Sequence, residues 1–327
     1  MTLDRMEQHL VSRLKFKHLK LLVVVGEQRN IFKAAQLLNM AQPAATKTIR
    51  DLENALDLQL FVRSSRGVTP TLYGDVLIKH AKLILSQVRH AGEELTSLKD
   101  GVSGHVTVGT LLAASPVLLP RSLARLKKER SHISVSVMEG TNDQLLPGIL
   151  LGDIDMMVGR LPEVQEDEGL VANVLYYEPV AVVGRKGHPL AKKKNLTLED
   201  LLGLQWILPS PATTLRRELD NAFHKAGLSS PNNVIESVSI LTNRALLMET
   251  DMVAAMPYQL IHTYEEIDLL CQLPVKIKAE LGPVGITTRA HAELTPAAGY
   301  LYGILEDVAT EIVQKQPQVY AQRKSGK

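Results

Sequence analysis

Gln42, Thr46, Lys47 and Arg50 carry side chains that hydrogen-bond base edges or phosphates, and they fall on one side of a single helical stretch. The opposite side is set by Ala45, Ile49, Leu52 and Leu56, which recur at four, three and four, one apolar stripe at the helical period. The polar set is therefore exposed. It also crowds toward the N-terminal end, the end that enters the major groove in helix-turn-helix proteins. Pro43 sits near the first helical position, where its missing N–H is harmless and its fixed φ suits the geometry. Farther on, the stretch from Arg63 to Thr71 reads as two extended runs about a Ser/Gly turn, with Arg63 and Arg66 beside that turn. A basic hairpin next to a recognition helix can lay Arg66 along the adjacent minor groove, where narrow A·T-rich DNA concentrates negative potential. The candidate DNA-contacting residues are Gln42, Pro43, Thr46, Lys47, Arg50, Arg63, Arg66 and Thr71. Two ordinary surface helices joined by a tight turn are the plainer alternative, and they leave the basic hairpin unexplained.

A second set suits an anion. Thr110, Ser115, Thr141, Asn142, Ser210, Thr213 and Thr214 follow predicted strands, where hydroxyls and helix N-terminal N–H groups gather, and Arg160 ends another strand. In the sharper reading Arg160, Thr141 and Thr213 or Thr214 clamp a small carboxylate through charge-assisted bonds. In the blander one Arg160 pairs with Glu163 or Glu166 on the surface and the threonines merely cap helices. No catalytic constellation accompanies either set: there is no Gly-rich phosphate loop, no Gly-x-Ser-x-Gly, no His-Glu-x-x-His and no Cys pair. His132, His188, His224 and His291 read as solvated or capping residues. Neither an enzyme, a metal site nor a cofactor is expected.

These residues need elements to hold them. Ile31, Ala34, Ala35, Leu37 and Leu38 give a short helix that Asn39 stops, ahead of the helix carrying the polar set. Phe16, Leu19, Leu22, Val23 and Gly26 form the face of a helix beneath that pair, while residues 1–14 read as a loose extension or helix start. From Leu72 to about Lys99 a long helix without Pro carries Leu77, Ala81, Ile84, Val88, Ala91, Leu95 and Leu98 at alternating four and three, a seam that wants a partner helix. Asp100 to Gly104 is a hinge by composition. Beyond it strands and helices alternate, through His105–Gly109, Ile133–Met138, Ile154–Val158, Val180–Val183, Trp206–Leu208, Val234–Val238 and Val253–Met256. That alternation argues parallel strands with sites at their C-terminal ends, in two lobes with a cleft between them. Strands near Val284–Thr288 return to the first lobe.

Charge agrees with this division. Residues 1–70 hold 11 Lys and Arg against 6 Asp and Glu, which leaves −3 for the remainder of a chain whose net charge is +2. A basic head on a slightly acidic body confines nucleic-acid contact to one end. Cys271 is the only cysteine, so no internal disulfide forms and a reducing cytoplasm is the expected location. The apolar run Leu19 to Val25 is too short and too closely preceded by charge to be a signal or an anchor. A solute-binding protein would suit the two-lobed half alone, but the basic head and the absent export signal speak against it.

The run Ala34-Ala35-Gln36-Leu37-Leu38, Ala41-Gln42-Pro43-Ala44-Ala45-Thr46, Ile49, Leu52-Glu53, Leu60-Phe61, Arg63, Arg66, Val68, Thr71 and Gly74 resembles the winged helix-turn-helix of the LysR-type transcriptional regulators. Ala41 stands where Ser is usual, which removes a capping hydroxyl, and Tyr73 replaces the usual Ala. The resemblance continues through Gly152-Asp153-Ile154-Asp155 and His188-Pro189-Leu190, and Gly159-Arg160-Leu161 is similar to members responding to aromatic or other carboxylates. It implies an α+β multidomain chain: a winged helix-turn-helix over 1–71, a linker (dimerisation) helix over 72–100 and a two-lobed, periplasmic-binding-protein-like α/β effector domain over 101–327. Lobe I is about 104–177 with 281–315, and lobe II about 178–280. Further implied are a bacterial, homo-oligomeric regulator, a dimer or tetramer with antiparallel linker helices, and an inverted-repeat site in promoter DNA. A small-molecule effector between the lobes and contact with RNA polymerase complete the set of partners, none of them a membrane. Leu111, Leu112, Ala113 and Ala114 are apolar where relatives often place hydroxyls, so the effector differs from theirs.

Overall fold

The computed structural model describes residues 3–64, 67–100, 104–162, 169–211, 213–277 and 281–320. The chain forms two compact units, residues 1–96 with 151–153 and residues 97–150 with 154–327. In the first, α1 (Leu3–Arg13) precedes α2 (Phe16–Gln28), α3 (Ile31–Leu37), α4 (Gln42–Leu56), the hairpin β1 (Phe61–Ser64) and β2 (Gly67–Pro70), and α5 (Leu72–Asp100). Of the two readings of residues 1–14, the helix start holds over Leu3–Arg13.

Its core is the predicted stripe. Ala45, Ile49, Leu52 and Leu56 of α4 pack with Ile31, Ala34 and Ala35 of α3 and with Leu21, Leu22 and Val25 of α2. Leu37, expected on the inward face of α3, is instead exposed, because the helix ends there and Asn39 turns the chain with φ 51. Phe16 is likewise exposed, and Leu21 and Val25 carry the α2 face in its place. Asn30 caps α3 by accepting from the Lys33 N–H at 3.1 Å. Ala41 precedes α4 without a side-chain cap, as the missing Ser hydroxyl leads one to expect. The Glu53 carboxylate accepts from the N–H groups of Leu60 and Phe61 at 2.9 and 3.1 Å, which ties the hairpin to α4. A Cβ on Gly74 would stand 2.1 Å from the Leu60 carbonyl oxygen, so only glycine fits where the hairpin turns into α5.

The second unit contains two five-stranded sheets. Its elements run β3 (Gly104–Thr110), α6 (Leu118–Glu129), β4 (Ile133–Glu139), α7 (Asn142–Leu151), β5 (Met156–Arg160), β6 (Leu170–Tyr176), β7 (Val180–Arg185), β8 (Trp206–Leu208), α8 (Thr214–Lys225), β9 (Val234–Glu236), α9 (Ile240–Glu249), β10 (Val253–Pro257), α10 (Tyr258–Glu266), β11 (Leu270–Gln272), β12 (Val284–Arg289), α11 (Pro296–Lys315) and α12 (Pro317–Tyr320). Lobe I orders its strands β4-β3-β5-β12-β6, and lobe II orders them β11-β7-β10-β8-β9. The all-parallel expectation holds for β3, β4 and β5 and for β8, β9 and β10, but not beyond. β12 runs antiparallel to β5 and β6, and β7 antiparallel to β10 and β11. The cause is connectivity: chain crossing from the other lobe enters each sheet from the end opposite to a local crossover. Between β7 and β8 the chain makes a 3-10 turn, Glu199–Leu201.

The central strands of each sheet are buried on both faces. In lobe I, Val106, Val108 and Ile286 pack under Leu126 of α6 and Leu301 and Leu305 of α11, and Leu145, Ile149 and Met157 cover the other side. In lobe II, Trp206 meets Phe223 edge to face at 5.8 Å and donates its indole N–H to the Leu201 carbonyl at 3.0 Å. Among the described residues no helix is long and apolar enough to cross a membrane.

Candidate nucleic-acid interface and ligand cleft

On α4 the burial of Ala45 and Ile49 turns the other side outward: Gln42, Pro43, Lys47 and Arg50 are exposed and Thr46 is half-buried. Gln42 and Pro43 occupy the first turn, so the reading face begins where backbone N–H groups have no helical partner and attract phosphate. Arg63 is exposed on β1, and Arg66 lies outside the described residues. Thr71 has other work. Its hydroxyl donates to the Gln59 carbonyl at 2.6 Å and accepts from the Gly74 N–H at 3.1 Å, which locks hairpin to α5 and leaves it poorly suited to grip phosphate.

In the second unit a cavity of about 460 Å³ opens between the sheets. Five of the eight expected anion residues border it: Thr141, Asn142, Arg160, Thr213 and Thr214. Thr110, Ser115 and Ser210 do not. Thr110 is buried, Ser115 Oγ is enclosed without a hydrogen-bond partner, and the Ser210 carbonyl accepts the Thr213 hydroxyl at 2.8 Å. The strand-end rule locates where a chain leaves a sheet and is silent about which way a hydroxyl turns.

Arg160 supplies the cation. It is 7% exposed, and its guanidinium donates to the carbonyls of Gly282 and, at 3.5 Å, Glu178. Arg160 is thus not a surface side chain; Glu163 and Glu166, its partners in the blander reading, lie outside the described residues. Burial pulls its guanidinium below the ordinary arginine value, against the charge of Glu178. No carboxylate forms an ion pair with it among the described residues, and five N–H donors meet two carbonyls. Two of the threonines, by contrast, are already engaged. Thr141 donates its hydroxyl to Asp143 and its N–H to Gln144 Oε1 at 3.1 Å, and Thr213 accepts from the Arg216 N–H at 3.3 Å. Thr213 caps α8, as the blander reading expects, whereas the Thr141 hydroxyl turns onto Asp143; both still border the cavity.

Several wall residues escaped the sequence reading. Glu139, Gln144 and Val238 to Leu241 line the cavity, with Ser239 capping α9 through the Thr242 N–H at 3.3 Å. A Ser three residues before Thr242, ahead of an apolar run, is a capping signal that was available. Leu111, Leu112, Leu215, Ile240 and Leu241 make much of the wall apolar. Asn142 Oδ1 is buried there without a donor. The arrangement can hold an amphipathic molecule by an anionic end.

Two sequence profiles cover nearly the whole chain: "Bacterial regulatory helix-turn-helix protein, lysR family" matches residues 16–75, and "LysR substrate binding domain" matches residues 99–310. The HTH-type transcriptional regulator GbpR of Azospirillum brasilense is 34% identical over 290 residues, 88% of this chain and 85% of that protein. PcaQ of Agrobacterium fabrum, also an HTH-type transcriptional regulator, is 30% identical over 301 residues, 92% of this chain and 97% of its own length. Among solved structures, full-length CbnR complexed with its target DNA shares the fold with a TM-score of 0.63 at 20% identity, over 90% of this chain and 100% of that one. The chain belongs to the LysR family of bacterial DNA-binding transcriptional regulators, with an N-terminal helix-turn-helix and a C-terminal effector-binding domain.

Proposed function

We propose that the protein is a cytoplasmic, homo-oligomeric regulator that reads an inverted repeat in promoter DNA and answers to a small carboxylate held by Arg160 in the cleft. The observation that carries the effector half is a buried guanidinium with unspent donors bordering an apolar-walled cavity. A buried guanidinium that leaves donors unused is unfavourable, and a ligand carboxylate takes them up with short, bidentate bonds. Thr141, Asn142, Thr213 and Thr214 shape the mouth, and Asn142 Oδ1 favours a ligand that also carries a donor. DNA binding is assigned to residues 1–71 and pairing to the helix over 72–100, whose Ile84, Val88 and Leu95 are exposed in the single chain. A tetramer would place four heads on one promoter, and RNA polymerase is a further proposed partner. Arg50, Arg63, Arg66 and Lys47 supply phosphate contacts and most salt dependence, whereas Gln42, Pro43 and Thr46 set sequence preference.

Gln42→Ala is expected to weaken binding at the specific site by roughly 1–3 kcal/mol and on random DNA very little. Fluorescence anisotropy on both DNAs at one salt concentration checks it; equal losses would remove Gln42 from base reading. For the effector half, a carboxylate that binds must change DNA bending, footprint or transcription, because a ligand acts only through unequal affinity for two arrangements. Tight binding with all three unchanged contradicts the switch.

A further inference from the structure

Glu178 lies between β6 and β7 on chain that crosses from one lobe to the other, 4% exposed and in contact with Arg160 through its carbonyl. Its carboxylate is half satisfied. Oε1 accepts the Gln259 backbone N–H at 2.8 Å, while Oε2 is buried without a donor, as is Oε1 of the Gln259 side chain. Both are enclosed acceptors lacking donors within one cluster, and a proton on Oε2 relieves the carboxylate, since the protonated oxygen becomes a donor. The groups facing this carboxyl are few. Arg160 comes from β5, the Tyr176 phenol from β6 and the Tyr320 phenol from α12, with Tyr258 and Gln259 at the start of α10 and Arg121 acting on Tyr320 from α6. Tyr176 accepts from the Gln259 amide at 2.7 Å, and its ring meets Tyr320 edge to face at 5.4 Å, both rings being buried. Burial pushes the Glu178 carboxyl up to about 7, against the pull of Arg160 and of the Gln259 N–H.

An anion docked on Arg160 cancels the charge that favours ionised Glu178 and adds a negative one beside it. We infer that the cleft binds its anion together with one proton, taken from solvent by Glu178, so that anion affinity falls as pH rises. This rests on the anion reading of the cleft. The bound state holds Glu178 at a higher pKa than the free state. Affinity is then level below the free value, and falls by up to about tenfold per pH unit between the two values.

Calorimetry of the full-length protein with benzoate, acetate and succinate at about pH 8, in two buffers of different protonation enthalpy, reads the uptake directly. The expected result is uptake approaching one proton in the wild type and none in E178Q, which binds the same probe more tightly at that pH. Binding with equal heats in both buffers, or uptake that persists in E178Q, overturns the inference while leaving the anion reading intact. No binding of any probe overturns both. Should E178Q fail to fold, the Glu178 carboxyl carbon, assigned by NMR through the Gln259 amide, decides in the wild type. Titration near 7 that moves upward with the bound probe is expected, and an ordinary glutamate value of about 4.3 is the contrary result.

Discussion

Arg160→Ala lowers the affinity of the cleft for its carboxylate by roughly 2–5 kcal/mol, between about 30-fold and several thousandfold. The size follows from burial. A surface arginine in water contributes little to an ion pair, whereas Arg160 is 7% exposed and meets its ligand where solvent screening is weak. Truncation also strips donors from the carbonyls of Gly282 and Glu178, and it removes the charge that opposes protonation of Glu178. The carboxyl therefore moves further up, and the variant carries neutral Glu178 at neutral pH. Arg160→Lys keeps the charge but not the planar fork, so it falls between wild type and alanine. Titration calorimetry of the three proteins with one carboxylate that the wild type binds gives the order. An alanine variant that binds as tightly as wild type would move the anion site elsewhere.

Ile49→Ala destabilises the head by roughly 2–5 kcal/mol, a large share of the ~5–15 kcal/mol that holds an ordinary domain folded. Ile49 is fully buried at the centre of the α4 stripe, where it packs with α2 and α3 residues, and close-packed neighbours refill only part of the space it leaves. Its loss therefore weakens specific and random DNA alike, in proportion to the fraction unfolded. That pattern differs in kind from Gln42→Ala, which spares random DNA. Thermal melting followed by circular dichroism, alongside anisotropy on both DNAs, separates the two. An Ile49→Ala protein with an unshifted melt would mean that the stripe does not hold the recognition helix.

The head was legible because its inward residues obey one period. Ala45, Ile49, Leu52 and Leu56 name both the buried face of α4 and, by exclusion, its reading face. The sheet order was less so. Nothing local to Val284–Arg289 says that β12 runs antiparallel between β5 and β6, since that direction is imposed by a crossing from the other lobe. Helix α11 was faint because Gly299 and Gly303 dilute its pattern. In the cleft, strand-end position points to Arg160, Thr141, Asn142, Thr213 and Thr214, and the resemblance of Gly159-Arg160-Leu161 points to Arg160 again. Neither points to Glu178, because Tyr176-Tyr177-Glu178-Pro179 before an apolar strand reads as an exposed turn, and only the fold encloses that carboxyl behind Arg160.

The central claim is a symmetric, sequence-reading head, and sequencing the genomic fragments that the purified protein retains at about physiological salt tests it most directly, because nonspecific phosphate contacts are weakened there. Recovery of a few sites sharing an inverted repeat, with the set or its footprint altered by a carboxylate that the cleft binds, is the predicted result. Uniform recovery across the genome, or none, would contradict it.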